Sequence, residues 1–242
     1  MIIIQTMSEH KDFILMPITK ILHEVISANY AIGNGMETFP LSEHIFQSTF
    51  LRMTGAQEQK MKCICWEIAT IDYEYRYYRY NQNTLGECSS YAEKKSIFKD
   101  LLDAIHKYEP NYDVSTAIGK SSIRISTIDD VKTVFVNSNL SIWAQSSFLD
   151  FKMNNNTWIK EIHFAVGDKL FENVLQDKYS LLYRHRNRCA HNTFSYQQNL
   201  PTLAALLNEN HRYDNYVMRF ALLILIDKIF IALYQKYLIV IE

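Results

Sequence analysis

Apolar positions along the chain recur at helical spacing, interrupted at the few Gly and Pro residues. The pattern predicts a first helix from about Glu9 to Ala31, kinked or restarted at Pro17 and ended by Gly33-Asn34-Gly35. A second falls near Leu41 to Met53, with Ser42 as its cap, and a third covers about Ala56 to Asn81. In the third, Met61, Ile64, Ile68, Ile71, Tyr75 and Tyr78 follow steps of three and four and share one face. Trp66, Tyr73, Tyr77 and Tyr80 form a second stripe roughly opposite. A helix apolar on two sides is sandwiched, so the first expectation is a buried central helix and the second a dimer face.

A helix from about Ser89 to Tyr108 follows, ending before Pro110. Between Asn111 and Asn139 the signals conflict. Ser122-Ile123-Arg124-Ile125 and Val134-Phe135-Val136 alternate like strands, whereas Thr127 to Val131 reads as a capped helix start. This stretch is taken as an irregular insertion. Helix resumes at Ser141 to Asp150 and Trp158 to Val166. Asp168 is placed as the N-cap of a helix reaching about His191, with Phe171, Val174, Leu175, Tyr179 and Leu182 as its buried stripe. Pro201 opens a short helix, and Tyr213 to Ile241 forms the last.

That last segment is nearly apolar, but Arg219, Asp227, Lys228 and Lys236 interrupt it. Its central uncharged run, Phe220 to Ile226, is far below the ~20 residues of a membrane span, so a buried core helix is expected and no membrane contact. The expected architecture is all-α, a single domain over 1–242 with about eight to ten helices. Residues 1–110 supply N-terminal helices, 111–139 the insertion, and 140–242 a motif-bearing region.

Composition agrees with a packed core: 48% of the 242 residues are hydrophobic and 21% charged. A net charge of −1 gives no whole-molecule field to attract nucleic acid, so phosphate affinity requires a local patch. Cys63, Cys65, Cys88 and Cys189 form neither a zinc spacing nor a disulfide ladder, which suits a reducing compartment. Met1-Ile2-Ile3-Ile4-Gln5 lacks the basic flank and length of a signal peptide, and a cytoplasmic protein is expected.

One segment carries chemistry. Arg184 to Asn192 holds three arginines, two histidines and two asparagines in nine positions, at the polar end of an apolar helix. Arginine forks to two oxygens of one phosphate, and histidine takes or gives a proton near neutral pH. Together they can bind a scissile phosphate, activate a ribose 2′-hydroxyl and protonate the leaving oxygen without a metal or other cofactor. A cationic helix end is also favoured by the helix dipole alone.

Arg186-Asn187-Arg188-Cys189-Ala190-His191 resembles the motif of the HEPN superfamily, an Arg followed after four to six residues by a His, often with Asn directly after the Arg. The position also fits, late in a helical chain and followed by another long helix. The resemblance covers directly the last third or so of the chain. It implies a HEPN-like helical bundle and, in many members, a metal-independent endoribonuclease of toxin–antitoxin, abortive-infection or antiviral systems. It implies Arg186 and His191 as the catalytic pair, RNA as substrate, a homodimer with a composite active site, and an antitoxin or sensor as a further partner. A non-catalytic HEPN-like module that binds nucleotide or protein is the alternative.

Helical geometry adds a constraint. Residues five apart lie about 140° apart around an ideal helix, so Arg186 and His191 do not meet within one regular helix. Either the helix ends or distorts before His191, or a second copy of the motif completes the site. Asn187 shares a face with His191 and is given the role of orienting it; Arg184, Arg188, Asn192 and Lys178 are placed as contacts to flanking RNA phosphates. His185 is read as a solvated or packing histidine, and Cys189 as buried packing. Glu67 and Glu74, on one face of the third helix, raise a metal-dependent alternative or a buttress for Arg186. Tyr73 to Tyr80, with Arg76 and Arg79, has the composition of a base-stacking surface, although the double stripe favours core packing.

Overall fold

A computed structural model describes residues 9–29, 32–33, 35–136, 138–190 and 214–242. The all-helical expectation holds in the main. The helices, in order, are α1 (Glu9–Leu15), α2 (Thr19–Asn29), α3 (Phe39–Ile71), α4 (Tyr73–Tyr77), α5 (Tyr91–His106), α6 (Val114–Ala117), α7 (Lys120–Val136), α8 (Leu140–Trp143), α9 (Gln145–Trp158), α10 (Asn173–Ala190) and α11 (Tyr216–Ile241). Two short strands, β1 (Phe164–Val166) and β2 (Lys169–Phe171), pair antiparallel before α10.

Helix α11 is the axis of the bundle. Its residues from Tyr216 to Ile226 are buried on every side, as a helix apolar all round requires. It packs against α7, α3 and α5, with α1 and α9 completing the surround. The charges within it find partners: Lys228 pairs with Asp130 at 2.8 Å, Lys236 with Glu109, and Arg219 with Asp214. Asp227 is the most buried of them and pairs with Lys60 of α3 at 2.6 Å. Its other oxygen accepts from the backbone N–H of Ile18 at 2.8 Å, where the chain restarts after Pro17. No helix among the described residues is long and apolar enough to cross a membrane.

Four expectations are corrected. The second and third helices are one, α3, running unbroken through Gly55 to Ile71. It then stops at Asp72, whose extended backbone (φ −108°, ψ 104°) ends the run, and whose carboxylate caps α4 by accepting from Tyr75 N–H. Second, residues 111–139 are mainly helical. Ile123, Thr127, Ile128, Val131, Val134 and Phe135 form the buried stripe of α7 against α11, and this packing overrides their β-branched propensity.

Third, the helix expected from Trp158 to Val166 is not formed: α9 ends at Trp158, and a short 3-10 turn at Glu161–His163 leads into the β1–β2 hairpin, closed by Gly167-Asp168 between Val166 and Lys169. Gly167 takes φ +57°, the left-handed conformation such a tight turn needs. Asp168 is therefore a turn residue, and α10 begins at Asn173. Fourth, Trp66, Tyr73, Tyr77 and Tyr80 are exposed, so the second stripe is no core. The helix expected at Pro201 lies outside the described residues.

Candidate functional site

Helix α10 is regular to Ala190 and buries Leu175, Tyr179 and Leu182; Val174, expected in that stripe, is exposed. At its end the side chains diverge by helical geometry. Arg184 is exposed. Arg186 turns inward, 19% exposed, and its Nη2 lies 3.2 Å from Oε2 of Glu58 on α3. Its Nη1 donates to Oδ1 of Asn187 at 3.4 Å. Arg188 is half-buried. His191 and Asn192 lie outside the described residues, so the second half of the motif is known from sequence alone.

Beneath the Arg186–Glu58 pair lies Lys94 of α5, 1% exposed, whose Nζ donates to the Cys88 carbonyl at 2.9 Å. Burial, opposed by Glu58 and aided by Arg186, holds the Lys94 ammonium down at about 8. Lys94 also sits over the Tyr179 ring at 6.0 Å, and the Tyr179 hydroxyl donates to the Ser89 carbonyl at 2.7 Å. At this depth Lys94 does not reach a macromolecular substrate; its effect on the site is electrostatic. Glu58 thus faces two cations, one at the rim and one in the core.

His185 turns the other way, between Phe50 and Tyr216, and of its two readings, solvated or packing, it is a packing residue. Tyr216 donates to Glu43 Oε1 at 2.7 Å, so the 3.1 Å contact from His185 Nε2 to the Tyr216 oxygen assigns a neutral Nε2–H donor. Burial, then the nearby Arg219 and Arg188, push His185 down to about 3. Cys189 Sγ lies 3.4 Å from the same nitrogen, and burial raises its thiol, which suits packing rather than nucleophilic attack.

Lys178, expected to extend the positive face, instead approaches the Trp158 carbonyl at the end of α9, 3.4 Å away, and its burial lowers the ammonium to about 8. Glu67 and Glu74 do not share a helix face, because the break at Asp72 separates them: Glu67 approaches His10 and Tyr234, and Glu74 is exposed on α4. Glu58, not either of these, buttresses Arg186. Its signal was present in the sequence: Glu58, Met61 and Cys65 follow helical spacing on a face of α3 that proves buried. Among the described residues no group of three or more His, Cys, Asp or Glu is placed to hold a metal ion.

Compared with family models, curated proteins and solved structures, the chain matches none of them.

Proposed function

We propose that the protein is a metal-independent endoribonuclease of the HEPN type, a toxin or defence effector acting as a homodimer whose two motif segments face one cleft. The observation that carries this reading is the hold of Glu58 on Arg186 at 3.2 Å, which presets the motif arginine at the end of α10 before any substrate arrives. In the proposed reaction the ribose 2′-oxygen attacks the adjacent phosphorus, the 5′-oxygen leaves, and a 2′,3′-cyclic phosphate remains. His191 moves the proton between these oxygens, and the Arg186 guanidinium offsets the charge of the phosphorane. Asn187 orients His191, and Arg184, Arg188 and Asn192 hold neighbouring phosphates. Lys178 is the weakest member of that group, being drawn against α9.

The same pair favours a second reading. A carboxylate beside Arg186 cancels part of the charge it offers a phosphate, as suits a helical module that binds nucleotide or protein without turnover. Purified protein incubated with bulk cellular RNA in EDTA, beside His191→Ala and Arg186→Ala, separates the two. Cleavage by wild type alone supports the ribonuclease; intact RNA in all three samples, with RNA retained on the protein, supports the binding module.

A further inference from the structure

The break at Asp72 does more than end a helix. In one continuous helix Trp66 and Tyr80 would be about 21 Å apart along the axis and out of contact. Here α4 and the π-helical turn at Tyr78–Gln82 fold back on α3, and the two rings meet edge to face, centroids 6.3 Å apart at 89°. Both rings stay about half exposed, at 54% and 45%, which is unusual for a Trp with neighbours available to bury it.

Trp66 and Tyr80 together wall two adjoining clefts, of about 340 Å³ and about 460 Å³. Arg76 and Asn81 line the first, Lys62 the second, and no carboxylate lines either. Arg76 Nε is anchored on the Ala69 carbonyl at 2.8 Å. Among the described residues neither Arg76 nor Lys62 is paired with an acid. Arg79, by contrast, is consumed by its buried pair with Asp100. Glu58, Lys62 and Trp66 succeed one another at four-residue steps along α3. The aromatic corner thus lies about 12 Å along that helix from the carboxylate that holds Arg186, with Lys62 between them.

The geometry points to the Trp66–Tyr80 corner as a base-stacking subsite for single-stranded RNA, with Lys62 and Arg76 taking the flanking phosphates; this rests on the ribonuclease reading and names where the strand runs beside the site. Perpendicular rings let a base stack on one and meet the edge of the other. Asn81 offers an amide to the base edge. A second copy of the chain fits the face less well. A two-fold interface sets a patch against itself and would gather two copies each of Lys62 and Arg76 where no carboxylate lines the clefts.

Trp143 and Trp158 are buried, so the emission change on adding RNA reports mainly on Trp66. The test is titration of a short single-stranded oligoribonucleotide into the His191→Ala protein, where cleavage does not intervene, read by tryptophan emission and by anisotropy of a labelled strand. Trp66→Ala is expected to weaken binding about 5- to 100-fold and Trp66→Phe by about 3-fold or less. Lys62→Gln is expected to reduce the slope of log affinity against log salt by about 0.7. Unchanged binding in Trp66→Ala, or no binding by the parent, overturns the subsite. So does a halved mass of Trp66→Ala in sedimentation, which would assign the face to dimerisation. Binding that depends on Trp66 in a protein that never cuts would retain the subsite and overturn the ribonuclease; cutting indifferent to Trp66, with unchanged binding, would do the reverse.

Discussion

Glu58 on α3 and Arg186 on α10 are joined through their charges at 3.2 Å across 128 positions of sequence, and this pair ties the motif helix to the centre of the bundle. Glu58 is buried, 7% exposed, while Arg186 keeps a partly exposed edge. A guanidinium held on one side and open on the other is oriented without being sequestered.

Glu58→Gln keeps the shape of the side chain and removes its charge. The expected outcome is a fall of about 10- to 100-fold in RNA cleavage at a temperature where circular dichroism reports a folded protein, since a displaced guanidinium loses alignment with the phosphate. Cleavage at the wild-type rate would reduce the pair to a structural contact.

Glu58 also offsets two cations, so Glu58→Ala leaves the buried Lys94 and Arg186 acting on each other without this carboxylate. A loss of about 3 kcal/mol in urea denaturation is expected. Adding Lys94→Met removes the buried charge and restores a large part of that loss. Simple additivity of the two substitutions would show that Lys94 and Glu58 are not coupled.

His185 carries a pH dependence of stability. Its folded value is pushed down to about 3 against an ordinary value near 6.5, so the unfolded chain binds the extra proton between these limits. Stability is therefore complete above about pH 6.5 and is lost as the pH falls, by about 2 to 3 kcal/mol at pH 4.5 from this group. Replacing it by Gln, which retains a donor for Tyr216, flattens the pH profile of thermal unfolding over that window. An identical profile for wild type and His185→Gln would contradict the assignment.

Lys60 and Asp227 form a second buried pair, 3% and 2% exposed, which also receives Ile18 N–H and holds the Met16 carbonyl. Asp227→Ala strands Lys60 in the core and is expected to cost about 3 to 5 kcal/mol. The double change Lys60→Met with Asp227→Leu replaces the pair by apolar volume and is expected to recover most of it, apart from the freed Ile18 N–H. Equal destabilisation of single and double variants in equilibrium denaturation would count against the pair as the cause.

Much of the local structure was legible from the chain itself. Pro17 divides α1 from α2, the Ser90–Glu93 capping box opens α5 just inside the expected start, and the apolar run after Tyr216 is the core helix anticipated for it. These features rest on contacts between near neighbours, which sequence spacing encodes directly. The hairpin was also encoded, as Gly167-Asp168 between two short apolar runs, but the helical signal on either side obscured it.

Tertiary structure decided which polar residues of α3 are interior and which aromatic ones are not. Gln57, Glu58 and Lys60 look like solvated surface in the chain, yet each is buried, because Leu223 O, Arg186 and Asp227 arrive from elements remote in sequence. The stripe from Trp66 to Tyr80 looks like core, yet it stays open, because Asp72 breaks the helix and no other described element covers that face. The β-branched run of α7 became helical for the same reason, its apolar face being claimed by α11. By itself the sequence determined periodicity, the helix boundaries at Pro17 and Ser90, and the Arg186–His191 spacing. Whether a given face is covered depends on where distant segments pack, and a local pattern carries no term for that.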